Sequence, residues 1–102
     1  MAYKLEILPL DEKNRARRER QMVKNPKDYI VFVHGICHGA WCWENFIDFF
    51  AEQGYQCYAV SLRGHGNSEG KENLNSFTLS DYVEDVKTVV DMCATKPFLV
   101  GH

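Results

Sequence analysis

Three short apolar runs, separated by stretches of a different period, constrain the fold of this chain more than anything else in it. Tyr29-Ile30-Val31-Phe32-Val33, Cys57-Tyr58-Ala59-Val60 and Phe98-Leu99-Val100 are unbroken and rich in β-branched and aromatic residues. Runs of this kind fit strands covered on both faces, as in a parallel sheet. Parallel neighbours need a long crossover between them, usually a helix. The chain supplies that crossover twice. Trp43, Phe46, Ile47 and Phe50 recur at i, i+3, i+4 and i+7, which puts four bulky groups on one helical face, with Glu44, Asp48 and Glu52 elsewhere. Gly54 offers the stop. Leu79, Tyr82, Val83, Val86, Val90 and Cys93 outline a second helix with one apolar face, and Thr78 with Asp81 forms a capping pair at its start. Strand, helix and strand over about 30 residues make a right-handed βαβ unit. The pattern predicts an α/β architecture, a mostly parallel sheet with two helices.

Residues 1–28 read as one or more N-terminal strands and a charged connector, ahead of a core over 29–102. Tyr3, Leu5 and Ile7 alternate with Lys4 and Glu6 as far as Leu8, a half-buried strand ended by Pro9. From Asp11 to Lys27 there is no clear apolar stripe, and a turn with a further strand around Gln21-Met22-Val23, or a partly mobile stretch, is expected. Arg15, Arg17, Arg18 and Arg20 are diluted by Glu12 and Glu19 and read as a solvated face.

A length of 102 residues fits one small domain, and 45% hydrophobic residues suffice for a core. The formal charge of −2 gives no reason to expect nucleic acid or an anionic membrane as partner. The start, Met1-Ala2-Tyr3-Lys4-Leu5-Glu6, lacks the cationic and apolar regions of a signal peptide. No apolar run approaches the ~20 residues that span a bilayer, so stable membrane insertion is not expected. Cys37, Cys42, Cys57 and Cys93 lack the spacing of a disulfide scaffold, and free thiols in a reducing, cytoplasmic setting are the expectation.

The chemistry-bearing candidates lie where strands end. His34-Gly35-Ile36 follows the first apolar run, and a rigid turn there can present backbone N–H groups to a developing oxyanion. Gly35 lets the chain turn sharply close to a substrate, and the Ile36 N–H becomes one donor. Gly101-His102 follows the last run and matches the front half of a nucleophile elbow, G-x-S-x-G, in which His102 is a spacer and not a base. Gly66-Asn67-Ser68-Glu69-Gly70 matches the same pattern by letter. No strand feeds straight into it and no helix leaves it, so Ser68 is read as part of a turn. The glycines from Gly64 to Gly70 also fail the dinucleotide fingerprint, in spacing and in the missing helix. His34, Cys37, His38 and Cys42 crowd one turn with no second ligand pair following, so no metal site is expected. Asp81 and Asp85 are read as solvated residues on the polar face of the second helix.

In this order and at these spacings, Val31-Phe32-Val33-His34-Gly35, the His34 to Trp43 stretch, Ser61 to Gly70 and Phe98 to His102 together resemble the α/β-hydrolase superfamily, over about three quarters of the chain. His34 to Trp43 is similar to plant methylesterases and hydroxynitrile lyases. Ser61 to Gly70 departs from that group toward bacterial esterases and lysophospholipase-like members, which favours ester or related acyl hydrolysis over a lyase reaction. The resemblance implies a Ser-His-Asp triad in chain order Ser, acid, His. All three would follow His102, the nucleophile immediately, so no catalytic residue of that kind is expected here and the chain alone is expected to be inactive. It further implies His34 and Gly35 as the turn, Ile36 as oxyanion donor, Gly101 and His102 as the elbow's front half, and His38 and Trp41 as lining for the acyl pocket. The substrate would be a small ester or acyl compound, with no cofactor and no metal. Two alternatives stay open. One is a non-catalytic binding or scaffold piece that self-associates through an exposed sheet edge, and the other is a dehalogenase-like member with Asp as nucleophile.

Overall fold

The computed structural model describes residues 3–11 and 13–102. Met1 and Ala2, part of the reading of the chain's start, and Glu12, expected to dilute the basic stretch, lie outside the described residues. Four strands, β1 (Ile7–Leu8), β2 (Asp28–Val33), β3 (Tyr55–Val60) and β4 (Phe98–Gly101), form one sheet in the order β1-β3-β2-β4. β2 lies parallel to β3, from Asp28 opposite Tyr55 to Val33 opposite Val60, and parallel to β4, from Ile30 opposite Phe98 to Val33 opposite Gly101. β1 pairs antiparallel with β3. The sheet is therefore mostly parallel, as the apolar runs predict.

Successive side chains of a strand point to opposite faces, so the apolar runs of β2 and β3 feed two cores. On one face Ile30, Phe32, Cys57 and Ala59 pack with Leu8, Ala40, Trp43 and Ile47. On the other Val31, Tyr58 and Val60 pack with Val89. Helix α2 (Glu44–Glu52) covers the first face, entered through a 3₁₀ turn at Ala40–Trp43 and left at Gly54, whose φ of +94° is the left-handed conformation that ends helices. The Trp43 ring stacks on Phe32 with centroids 4.8 Å apart. Phe46, expected in the same buried stripe, is half exposed at its edge. Helix α3 (Leu79–Val90) covers the second face and opens with a complete capping box between Thr78 and Asp81. Among the described residues no helix is long and apolar enough to cross a membrane.

Several expectations change. The stretch from Asp11 to Lys27, expected as a turn with a strand around Gln21-Met22-Val23 or as partly mobile, instead contains a short helix, α1 (Arg15–Gln21), in addition to the two expected helices. This helix ends at Met22, which caps it in extended conformation. Its stability comes from polar contacts that hydrophobic periodicity does not register. Asn14 caps it by accepting from the Arg17 N–H, and Arg15 pairs with Glu19 one turn on. Gln21 is fully buried and donates to Asp48, while Val23 bonds the Gln56 side chain and not a sheet neighbour. The basic stretch is not simply a solvated face, because Arg17 is largely buried between Asp11 and Glu44 and Arg20 pairs with Asp48 at 3.0 Å. β4, read as buried, has all four residues exposed, since it forms the sheet's edge. Along α3 the buried positions are Asp85 and Val89, whereas Leu79 and Val83 point to solvent. The segment before α3 contains a 3₁₀ turn at Lys71–Ser76.

Candidate functional site

The carboxyl ends of β2, β3 and β4 meet at one rim, and the loops that leave them are tied together there. Val33 sits beside Gly101, and the His102 N–H donates to the Val33 carbonyl at 3.2 Å. The His34-Gly35-Ile36 turn follows at once. The His38 N–H closes it onto the Gly35 carbonyl at 3.2 Å, and Cys37 takes a positive φ of 64° at the third position, where a type II turn requires it. A Cβ on Gly35 would stand 3.1 Å from the His102 carbonyl oxygen, tighter than an ordinary contact, so the turn after β2 and the end of β4 lie close together. The Ile36 side chain is 87% exposed, and no acceptor among the described residues takes its N–H.

All four histidines of the chain collect at this rim. The rings of His34 and His65 lie 5.0 Å apart and those of His38 and His102 6.0 Å. His38 also faces the exposed indole of Trp41 at 5.7 Å. The sequence candidates His34, Gly35, Ile36, His38, Trp41, Gly101 and His102 thus occupy one edge. Among the described residues no three His, Cys, Asp or Glu side chains converge as metal ligands would. Cys57 is packed in the core, where burial pushes its thiol up to about 12, and burial also raises Cys42.

Behind the turn lies a polar network that sequence reasoning missed. Ser61, fully buried just after β3, accepts from the Ala40 N–H at 2.9 Å and donates to the Glu6 carboxylate at 2.7 Å. Glu6 also accepts from the Asn67 side chain, and its own N–H donates to Ser68. Ser68 is buried, with its hydroxyl donating to the Ser61 carbonyl, so its atoms tie the loop to β1 and do not face the rim. Gly66 fits only because it has no side chain: a Cβ would stand 2.4 Å from Ser61 Oγ. The only hint of this network in sequence was the Ser61 to Gly70 stretch, read as a turn.

Asp85 corrects a second expectation. It is buried, not solvated on the polar face of α3. Both its oxygens engage Arg63, one taking the Arg63 N–H at 2.8 Å and the other the guanidinium at 2.8 Å. The hydrogen bonds that Arg63 donates to the Asp85 carboxylate raise its pKa further, and the guanidinium also lies over the rings of Tyr3 and Phe77. Asp81 remains at the helix start, where the Thr78 N–H holds its carboxyl below the usual range. The backbone at residue 63 is thereby fixed next to Leu62, whose N–H reaches His34.

Known proteins resemble this chain in sequence and in fold. Residues 24–102 match the family model for serine aminopeptidase, S33. Methyl jasmonate esterase 1 of Vitis vinifera is 39% identical over 77 residues, covering 72% of this chain and 29% of its own length. The thioesterase domain from the curacin biosynthetic pathway superposes with a TM-score of 0.66 at 29% identity, over 74% of this chain and 28% of that one. Epoxide hydrolase VrEH1 from Vigna radiata gives 0.68 at 30%, over 78% and 25%. The chain spans less than a third of the length of the relatives it matches. Family model, relatives and solved structures agree: the chain belongs to the α/β-hydrolase superfamily.

Proposed function

We propose that this chain provides the oxyanion-binding part of an acyl-hydrolase site, for a carboxylic ester or a related acyl substrate. The observation that carries the reading is the free Ile36 N–H, held in a closed turn directly beside the end of β4. In acyl transfer a donor fixed there stabilises the tetrahedral oxyanion without reorganising during the reaction. Esterase and thioesterase names among the similar proteins favour acyl chemistry. A lysophospholipase-like ester is one substrate form that this reading includes. His38 and Trp41 would flank the acyl group.

On this reading the serine nucleophile, its acid and its histidine base lie in sequence that follows His102 in a longer protein, and the chain alone does not form an acyl-enzyme. Buried Ser68, with its hydroxyl occupied, supports that part. Reading the gene past the His102 codon tests it. Ser, then any residue, then Gly is expected. Asp in the first place would instead support the dehalogenase-like alternative, and a stop codon there would sink the reading. Fluorophosphonate treatment of the purified chain should leave it unlabelled, whereas stoichiometric labelling at Ser68 would overturn the inactivity.

A second reading has an observation of its own. Phe98 and Leu99 are each 59% exposed on the edge strand, and unpaired apolar edges favour strand pairing between molecules. A binding or scaffold role through self-association follows. Light scattering that finds a folded monomer at high concentration would remove it. The four unpaired thiols support a reducing, cytoplasmic location, which fractionation of the native host would check.

A further inference from the structure

The histidine that opens the rim turn is bonded so that only one of its protonation states is satisfied. His34, 4% exposed, directly follows β2, with Nδ1 2.7 Å from the Gly35 carbonyl oxygen and Nε2 3.0 Å from the Leu62 nitrogen. A carbonyl oxygen can only accept and an amide N–H can only donate. Nδ1 therefore carries the proton and Nε2 is bare. The other tautomer would oppose two lone pairs at one end and two N–H groups at the other. The imidazolium would aim an N–H at the Leu62 N–H.

We propose that neutral His34, in this single tautomer, is a positioning residue that latches the Gly35-Ile36 turn to the segment leaving β3, and that acid releases the latch. The inference rests on the reading of Ile36 as oxyanion donor and adds regulation of that turn. Unlatching frees the backbone that carries the donor, so the oxyanion position loses definition while the two cores stay packed.

The groups around the ring act in one direction. His65 faces it from the loop after β3 and His38 from the turn itself, and each disfavours a further positive charge. Arg63, one residue past Leu62, is neutralised by Asp85 from α3, and His102 reaches Gly35 from β4. Burial first, and those two rings after it, hold the His34 pKa below the ordinary imidazole value, against the pull of the Gly35 carbonyl. The sign follows from linkage. The folded state prefers neutral His34, so the latch is at full strength above about pH 6.5 and weakens as pH falls toward the folded-state pKa. Across that window the unlatched fraction rises about tenfold per pH unit and then levels off.

Nitrogen NMR of the isotopically labelled 102-residue chain tests this directly. At neutral pH the His34 proton is expected on Nδ1, with the Leu62 amide protected from exchange. On acidification the Leu62 protection factor should fall about tenfold per unit within the window, and the Ile36 amide shift should follow the same titration. His34→Gln, whose amide oxygen can take the place of Nε2, should keep Leu62 protected and remove the pH dependence. His34→Ala should lower protection at every pH. If that variant does not fold, the wild-type tautomer and titration decide alone. A proton on Nε2, or Leu62 protection flat through the His34 titration, overturns the proposal. None of these readouts uses ester turnover, so the latch and the acyl-hydrolase reading can fail separately.

Discussion

Helices α2 and α3 invite comparison, because both carry an apolar stripe at helical spacing and each packs on one face of the same sheet. α2 buries the centre of its stripe completely at Ile47. α3 does not: Leu79 is 79% and Val83 58% exposed, while the carboxylate of Asp85 is driven into the interface. The difference lies in what each helix must meet. Toward the sheet α2 meets apolar strand residues and the Trp43 and Phe32 rings, while its polar partners, Arg17, Arg20 and Gln21, come from α1. α3 crosses the exit of β3, where the Arg63 guanidinium and backbone need an anionic partner, and Asp85 supplies it. Its orientation thus follows one buried ion pair as well as apolar area. An amphipathic pattern reports that a helix has a buried side, but a fixed charge decides which side.

Three substitutions probe that contrast. The largest effect is expected at Asp85→Ala, which leaves the Arg63 guanidinium, 12% exposed, without its main partner; loss of about 4 kcal/mol in urea unfolding is the expected outcome. A loss no larger than that of an exposed charge would break the comparison, since α3 would then be held by its apolar contacts alone. Next is Ile47→Ala at the centre of the α2 stripe, with an expected cost of about 3 kcal/mol from lost burial and the residual cavity. The smallest belongs to Val83→Ser. Despite its place in the apparent stripe of α3, the midpoint should move by less than about 0.5 kcal/mol. A cost near that of Ile47→Ala would mean that this face of α3 is covered in solution.

How much of this was readable in the residues follows from the same distinction. The βαβ order, the exit at Gly54 and the Thr78 to Asp81 cap are local patterns, and each is found where its period or spacing puts it. The turn after β2 was legible too, since a His-Gly pair straight after a buried run leaves few conformations. α1 was not, because it is held by an Asn14 cap, ion pairs and the buried Gln21. The exposure of β4 depends on its place in the strand order, which composition does not encode. Asp85 and Arg63 are 22 positions apart and Glu6 and Ser61 are 55, so no window of periodicity joins them. The candidate rim could be named from its strand-end motifs. The polar scaffold beneath it could not.

Glu6 has a practical consequence for anyone trimming this protein. The family match begins at residue 24, and an excision along that boundary would look conservative. It would discard the carboxylate that receives the Ser61 hydroxyl and the strand that shields it. A shortened version would expose a once-sealed hydroxyl and loosen Ala40 and Asn67 together, so damage at one terminus would surface across the molecule, beside the histidines.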